Sequence, residues 1–256
     1  MAYVSPTLNL LINVVKKSTN ALNRDFSEIE RLQSSVRGYQ NFVISAYEKV
    51  EKNLRFEFNK AKPDMQVSKE LLPNATGNYF LVSPVDGLEN FSRGISYFST
   101  TAALVDPNNN ILAAVVYNPA IDEMYFAEKG NGAFKEGFRS IERLRVTPNK
   151  DLVKSFVLTG SHSSKFEPET FVRGFGSVSL EMAYLAAGKA DAVVEKEASV
   201  ASLAAGMMLV KEAGGYVFEI NQKDIKSEDL NKVLVSRNVI ATNSALGKKV
   251  HDLVNS

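Results

Sequence analysis

Apolar residues along the chain follow two rhythms. Over residues 6–22, Leu8, Leu11, Ile12, Val15 and Leu22 recur at helical spacing, while Lys16 and Lys17 interrupt the apolar stretch. Ser5, Pro6 and Thr7 supply start signals, so a single amphipathic helix is expected there. A second helix is expected over residues 40–61, where Val43, Ala46, Val50, Leu54 and Phe58 share one face and Pro63 ends the run. From residue 79 the runs shorten to strand length. Residues 79–82 lead into a turn. Residues 99–105 and 111–117 flank Asp106-Pro107-Asn108-Asn109-Asn110, a loop between antiparallel strands. Residues 123–127 add a strand, and Gly130-Asn131-Gly132 a turn.

A polar stretch at 146–154 is the expected boundary of a second half, which opens with a strand at 156–159. A helix at 177–187 ends at Gly188, and a strand follows at 191–194. A helix at 203–213 ends at Gly214-Gly215, followed by strands at 216–220 and 239–241 and a helix at 244–254. This order predicts a layered α+β or α/β chain with two sheets. The expected organisation is an N-terminal α+β half, 1–150, and a C-terminal α/β half, 151–256.

Composition narrows the chemistry. The 256 residues are 45% hydrophobic, enough for a sizeable core. Thirty Lys and Arg against 29 Asp and Glu leave a net charge of +1, which gives no global field for nucleic acid or an anionic membrane. Autonomous nucleic-acid binding is therefore not expected. The absence of Cys excludes disulfides, thiolate zinc sites, iron–sulfur clusters and a cysteine nucleophile. Two histidines, His162 and His251, are too few for a multi-histidine metal site. No apolar run approaches the ~18 residues of a membrane span. The first helix lacks the basic start and uniform apolar centre of a signal peptide, so a cytoplasmic location is expected.

The most informative segment is LVSPVDGLENF, residues 81–91. An apolar strand enters a turn containing Pro84, Asp86 and Gly87. Such a turn can offer backbone N–H groups to an anion. The same residue types also serve turns for purely conformational reasons.

Five collinear segments carry a resemblance. They are FVISAYEKVE (42–51), LVSPVDGLENF, AVVYNPAIDEMYFAEKGNGAF (114–134), GSVSLEMAYLAAGKADAVVE (176–195) and SLAAGMMLVKEAGG (202–215). Together they resemble the inositol monophosphatase family, and most closely its bacterial SuhB-type branch. The resemblance implies a layered αβαβα sandwich with a site between two halves. It also implies magnesium-dependent hydrolysis of phosphate monoesters. Carboxylates hold two or three Mg²⁺, a Thr–Asp pair orients the attacking water, and turn amides hold the phosphate.

Residue by residue, this chain departs from that pattern. Tyr47 stands where the family has the Asp of the water-orienting pair, and Leu88 where it has the Thr. Ser83 and Ser202 stand in place of two metal-ligand Asp residues. Glu70, the Val85 carbonyl and Asp86 remain at ligand positions, and Lys69 beside Glu70 invites an ion pair with it. By resemblance Gly87, Leu88, Glu89, Gly176, Ser177 and Glu195 surround the substrate, with Glu195 facing hydroxyl groups. Glu89 would bring its own anion to the phosphate position.

Neutral serines are weak Mg²⁺ ligands, Leu88 cannot bond a water, and Tyr47 is a poor base at neutral pH. The expectation is a dismantled site with no tightly bound cofactor and at most one weak Mg²⁺. Three functions remain open: a non-catalytic homologue acting by binding, an active Mg²⁺-dependent inositol or sugar phosphatase with an altered site, and a metal-free small-molecule module. The resemblance further implies a homodimer and a protein partner in transcription or ribosomal RNA machinery.

Overall fold

The computed structural model describes residues 4–32, 36–137, 140–160, 166, 170–225 and 228–256; His162 lies outside them. Helix α1 (Pro6–Ser18) starts on the Ser5 side chain, which accepts a hydrogen bond from the Leu8 amide. The single helix expected over 6–22 is instead two. The Thr19 hydroxyl donates to the carbonyls of Val15 and Lys16, a back-bond that closes α1, and α2 (Asn20–Leu32) begins anew. Helix α3 (Val36–Ala61) carries the expected stripe, and all five stripe residues are buried.

The first sheet runs in the order β1 (Val67–Ser68), β2 (Tyr79–Asp86), β3 (Ser99–Val105), β4 (Ile111–Asn118), β5 (Glu123–Glu128), β6 (Gly132–Glu136) and β7 (Ile141–Arg143). Only β1 is parallel to its neighbour; the remaining pairs are antiparallel. The one-turn helix α4 (Leu88–Ser92) follows β2. The second sheet holds β8 (Phe156–Leu158), β9 (Phe171–Arg173), β10 (Ala192–Glu195), β11 (Tyr216–Glu219) and β12 (Val239–Thr242), in the order β11-β12-β10-β8-β9. Helices α5 (Val178–Ala186), α6 (Val200–Glu212), α7 (Leu230–Ser236) and α8 (Gly247–Asn255) complete the chain. The short elements β1, β6, β7, β9, α4 and α7 leave little periodic signal and were not expected from the pattern.

Three apolar clusters show the layering. One binds α1–α3 to one face of the first sheet. A second joins the other face of that sheet, through α5 and α6, to the second sheet. A third packs α8 on the far side of the second sheet. The result is the expected α+β architecture, an αβαβα sandwich. Helix α6 lies in the middle layer, and every residue from Val200 to Val210 is buried. A helix buried on all sides loses its polar stripe, which explains why its start lies three residues before the expected one.

Candidate functional site

The signature turn forms where β2 leaves the first sheet. The β2–β3 register shifts between Ser83 and Asp86, so three steps on β2 face two on β3. This bulge frees the Pro84 carbonyl from the ladder, and the Thr100 hydroxyl donates to it at 2.6 Å. Gly87 then takes φ +80, a left-handed conformation suited to glycine. A Cβ there would lie 3.1 Å from the Gly176 carbonyl, the Ser177 Cβ and the Tyr97 carbonyl. The turn is therefore pressed directly against the start of α5.

Asp86 is the centre of that contact. Its Oδ2 accepts from the Ser177 hydroxyl at 2.7 Å, the Ser179 amide at 2.9 Å and the Ser179 hydroxyl at 2.6 Å. Ser177 occupies the N-cap of α5 but makes no capping bond of its own. Asp86 supplies that cap from the end of β2, where a carboxylate also suits the helix dipole. Asn90 adds a second clasp, donating to the carbonyls of Tyr97 at 2.7 Å and Phe175 at 2.5 Å.

Two further carboxyls lie beside Asp86. Glu181, 1% exposed, accepts through Oε1 from the amides of Phe175 at 2.8 Å and Gly176 at 3.1 Å. Its Oε2 is buried with no N–H or O–H donor in reach. Burial first, then the Glu195 charge, pushes its carboxyl up to about 8. Glu195 accepts from the Gly160 amide at 2.7 Å. Burial raises its carboxyl above the usual range, and the Asp86 charge adds to this, while a hydrogen bond from Glu181 works the other way. The nearby Glu195 charge thus favours the protonated form of the Glu181 carboxyl.

The remaining site positions make other contacts. Ser83 is buried within β2, opposite Thr101. Ser202, in the first turn of α6, is fully buried, and its hydroxyl has no partner. Tyr47 and Leu88 are half-buried against the apolar layer beneath α3. Glu70 reaches across to Arg237 Nη2 at 2.5 Å. Lys69 does not pair with Glu70; it bonds Glu51 at 2.8 Å and lies over the Tyr47 ring. Burial pushes the Glu51 carboxyl up, but the hydrogen bonds and charges of Lys69 and Arg55 outweigh it and hold Glu51 below its ordinary value. Glu89 is exposed, and among the described residues its carboxylate meets none of the amides that follow Gly87. Among the described residues no three acidic or histidine side chains are grouped to hold a metal ion.

The model of the inositol monophosphatase family matches residues 4–256. The chain belongs to that family. It is 32% identical over 98% of its length, and 96% of the relative's, to an inositol-1-monophosphatase of Rhizobium meliloti (strain 1021). It is 29% identical to a Nus factor SuhB of Xylella fastidiosa (strain Temecula1 / ATCC 700964), over 88% of this chain and 86% of that one. The crystal structure of the extragenic suppressor protein suhB from Bartonella henselae superposes with a TM-score of 0.84 at 29% identity, covering 99% and 100% of the two chains.

Within this family fold, residue typing alone missed Glu181, Ser179, Glu51 and Arg237. Glu181 had one visible signal, a lone acid inside the apolar run SLEMAYLAAG. The others become meaningful only through partners far away in sequence.

Proposed function

We propose that this chain is a catalytically silent member of the inositol monophosphatase family that acts by binding. Ser202 carries the reading. The resemblance places a metal-binding carboxylate there, and a buried hydroxyl without a partner stands instead. Ser83 makes the same exchange on β2, Asp86 spends one oxygen on capping α5, and Glu70 is tied to Arg237. Together these donors lack the charge that offsets the cost of dehydrating Mg²⁺, so the residues present do not fit the family's metal cluster. Leu88 and Tyr47 offer no pair to orient a water, which fits binding rather than turnover.

The reading extends to a cytoplasmic homodimer whose halves, 1–150 and 151–256, flank the site. Its partner is a protein of the transcription or ribosomal RNA machinery, a role suggested by the Nus factor SuhB relatives. No helix among the described residues is long and apolar enough to cross a membrane.

Calorimetric titration with MgCl₂, paired with an inositol-1-phosphate turnover assay, tests the reading. At most one weakly bound Mg²⁺ and no turnover above buffer are expected. Two or more tightly held ions per chain, or turnover near the ~1–10³ s⁻¹ usual for enzymes, would overturn it. A second reading, an active phosphatase with an altered site, draws on the inositol-1-monophosphatase relatives and would then take its place.

A further inference from the structure

Segment 67–72 leaves the edge strand β1 and runs toward the second half of the molecule. Its N-terminal side is fastened to α3 twice. The Val67 carbonyl accepts from Arg55 Nη1 at 2.7 Å, and Lys69 pairs with Glu51 at 2.8 Å. Glu51 is held in turn by Arg55, through Nε at 3.2 Å and Nη2 at 3.0 Å.

The next residue points the other way. A local turn, in which the Ser68 hydroxyl donates to the Glu70 carbonyl and accepts from the Glu70 amide, sets the direction. The Glu70 carboxylate then meets Arg237, 167 residues away. Leu71 and Leu72 pack onto the central apolar cluster behind it.

Arg237 is itself a fixed anchor. It closes α7 in the left-handed conformation, φ 61, with its amide donating to the Val233 carbonyl. Its carbonyl accepts from the Ala198 amide at 3.1 Å. Residues 197 and 198 lie between Glu195 and the start of α6. Glu70 thus joins the loop after β1 to the loop that links Glu195 with Ser202.

We propose that Lys69 and Glu70 form an ionic strap of opposite charges that ties the first half of the molecule to the 195–202 loop, so that Glu70 serves as a latch and not as a metal ligand. The turn after Ser68 sends Lys69 to Glu51 and Glu70 to Arg237, so one dipeptide grips two bodies. The Glu70–Arg237 pair is substantially exposed on both sides, so salt screens it and the latch opens easily. At the other end Glu51 is more sheltered than Glu70, so salt screens the Lys69–Glu51 pair less.

Hydrogen exchange followed by mass spectrometry, at 50 and 500 mM NaCl, tests the strap on the full chain. Glu70→Arg and Arg237→Glu should each speed exchange of residues 68–75 and 197–198 about 2- to 5-fold at low salt, the scale of one exposed pair. High salt should do the same to the unaltered protein. The charge-swapped double variant should return both segments to the unaltered rate. Glu70→Gln, a milder change, should match the single variants if global stability is kept. Equal exchange in all forms, or no rescue by the double swap, would overturn the proposal. So would slower exchange of residues 68–75 in MgCl₂ than in NaCl of matched ionic strength, because a metal would then be claiming Glu70. The swap result stands whether or not the chain proves to be a hydrolase.

Discussion

Replacing Glu181 with Gln should stabilise the protein, and by an amount that grows with pH. The carboxyl is 1% exposed and is held up to about 8 against an ordinary 4.5. In the folded protein it therefore keeps its proton at neutral pH, while in the unfolded chain it has lost it. The unfolded state then binds fewer protons, so stability falls as pH rises from about 4.5 to about 8 and levels off above. At about 1.4 kcal/mol per pH unit, this group withholds about 3 kcal/mol at pH 7, and about 5 kcal/mol above pH 8 as an upper bound. Gln does not titrate. Its carbonyl can still accept from Phe175 and Gly176, and its amide can donate toward Glu195. Guanidinium unfolding of both proteins at pH 5, 6, 7, 8 and 9 measures the difference. Near-equal stability at pH 5 and a Gln advantage of about 2–3 kcal/mol at pH 7 are expected. A difference that stays constant within about 0.5 kcal/mol from pH 5 to 9 would refute the assignment of a proton to Glu181.

Ser202→Ala removes a buried hydroxyl that has no partner, so urea unfolding should show a change between zero and about 1 kcal/mol of added stability; a loss above that size would mean the hydroxyl is satisfied. Asp86→Ala strips three donors of their acceptor and uncaps α5, and should cost about 2–4 kcal/mol in the same assay. An Asp86→Ala change within about 0.5 kcal/mol would show that these bonds do not hold β2 to α5. Restoring Ser83→Asp with Ser202→Asp should raise Mg²⁺ affinity in calorimetry while inositol-1-phosphate turnover stays near background. Residues that act as a catalytic unit are non-additive, and Leu88 and Tyr47 still lack the water-orienting pair. Rapid turnover by that double variant would refute the roles given to those two positions.

Elements whose signal is local and periodic are legible in the residue pattern. The stripe from Val43 to Phe58 specifies which face of α3 is buried, because 3.6-residue spacing acts through a single helix. The strand at 99–105 and the loop at 106–110 follow from β-branched runs and turn residues, and the ordered segments from 42 to 215 marked the family and its layered fold. By resemblance the same segments put Ser83, Leu88 and Ser202 where the family carries other residues. Tertiary structure alone decided how the side chains are spent. Lys69 pairs with Glu51, 18 residues away, and not with its neighbour Glu70, which the turn after Ser68 directs to Arg237. Asp86 caps a helix that begins 92 residues later, and Glu181 keeps a proton because burial and Glu195 meet around it. Each of these depends on distances set only after the layers close, and desolvation and Coulomb energies have no value along an open chain.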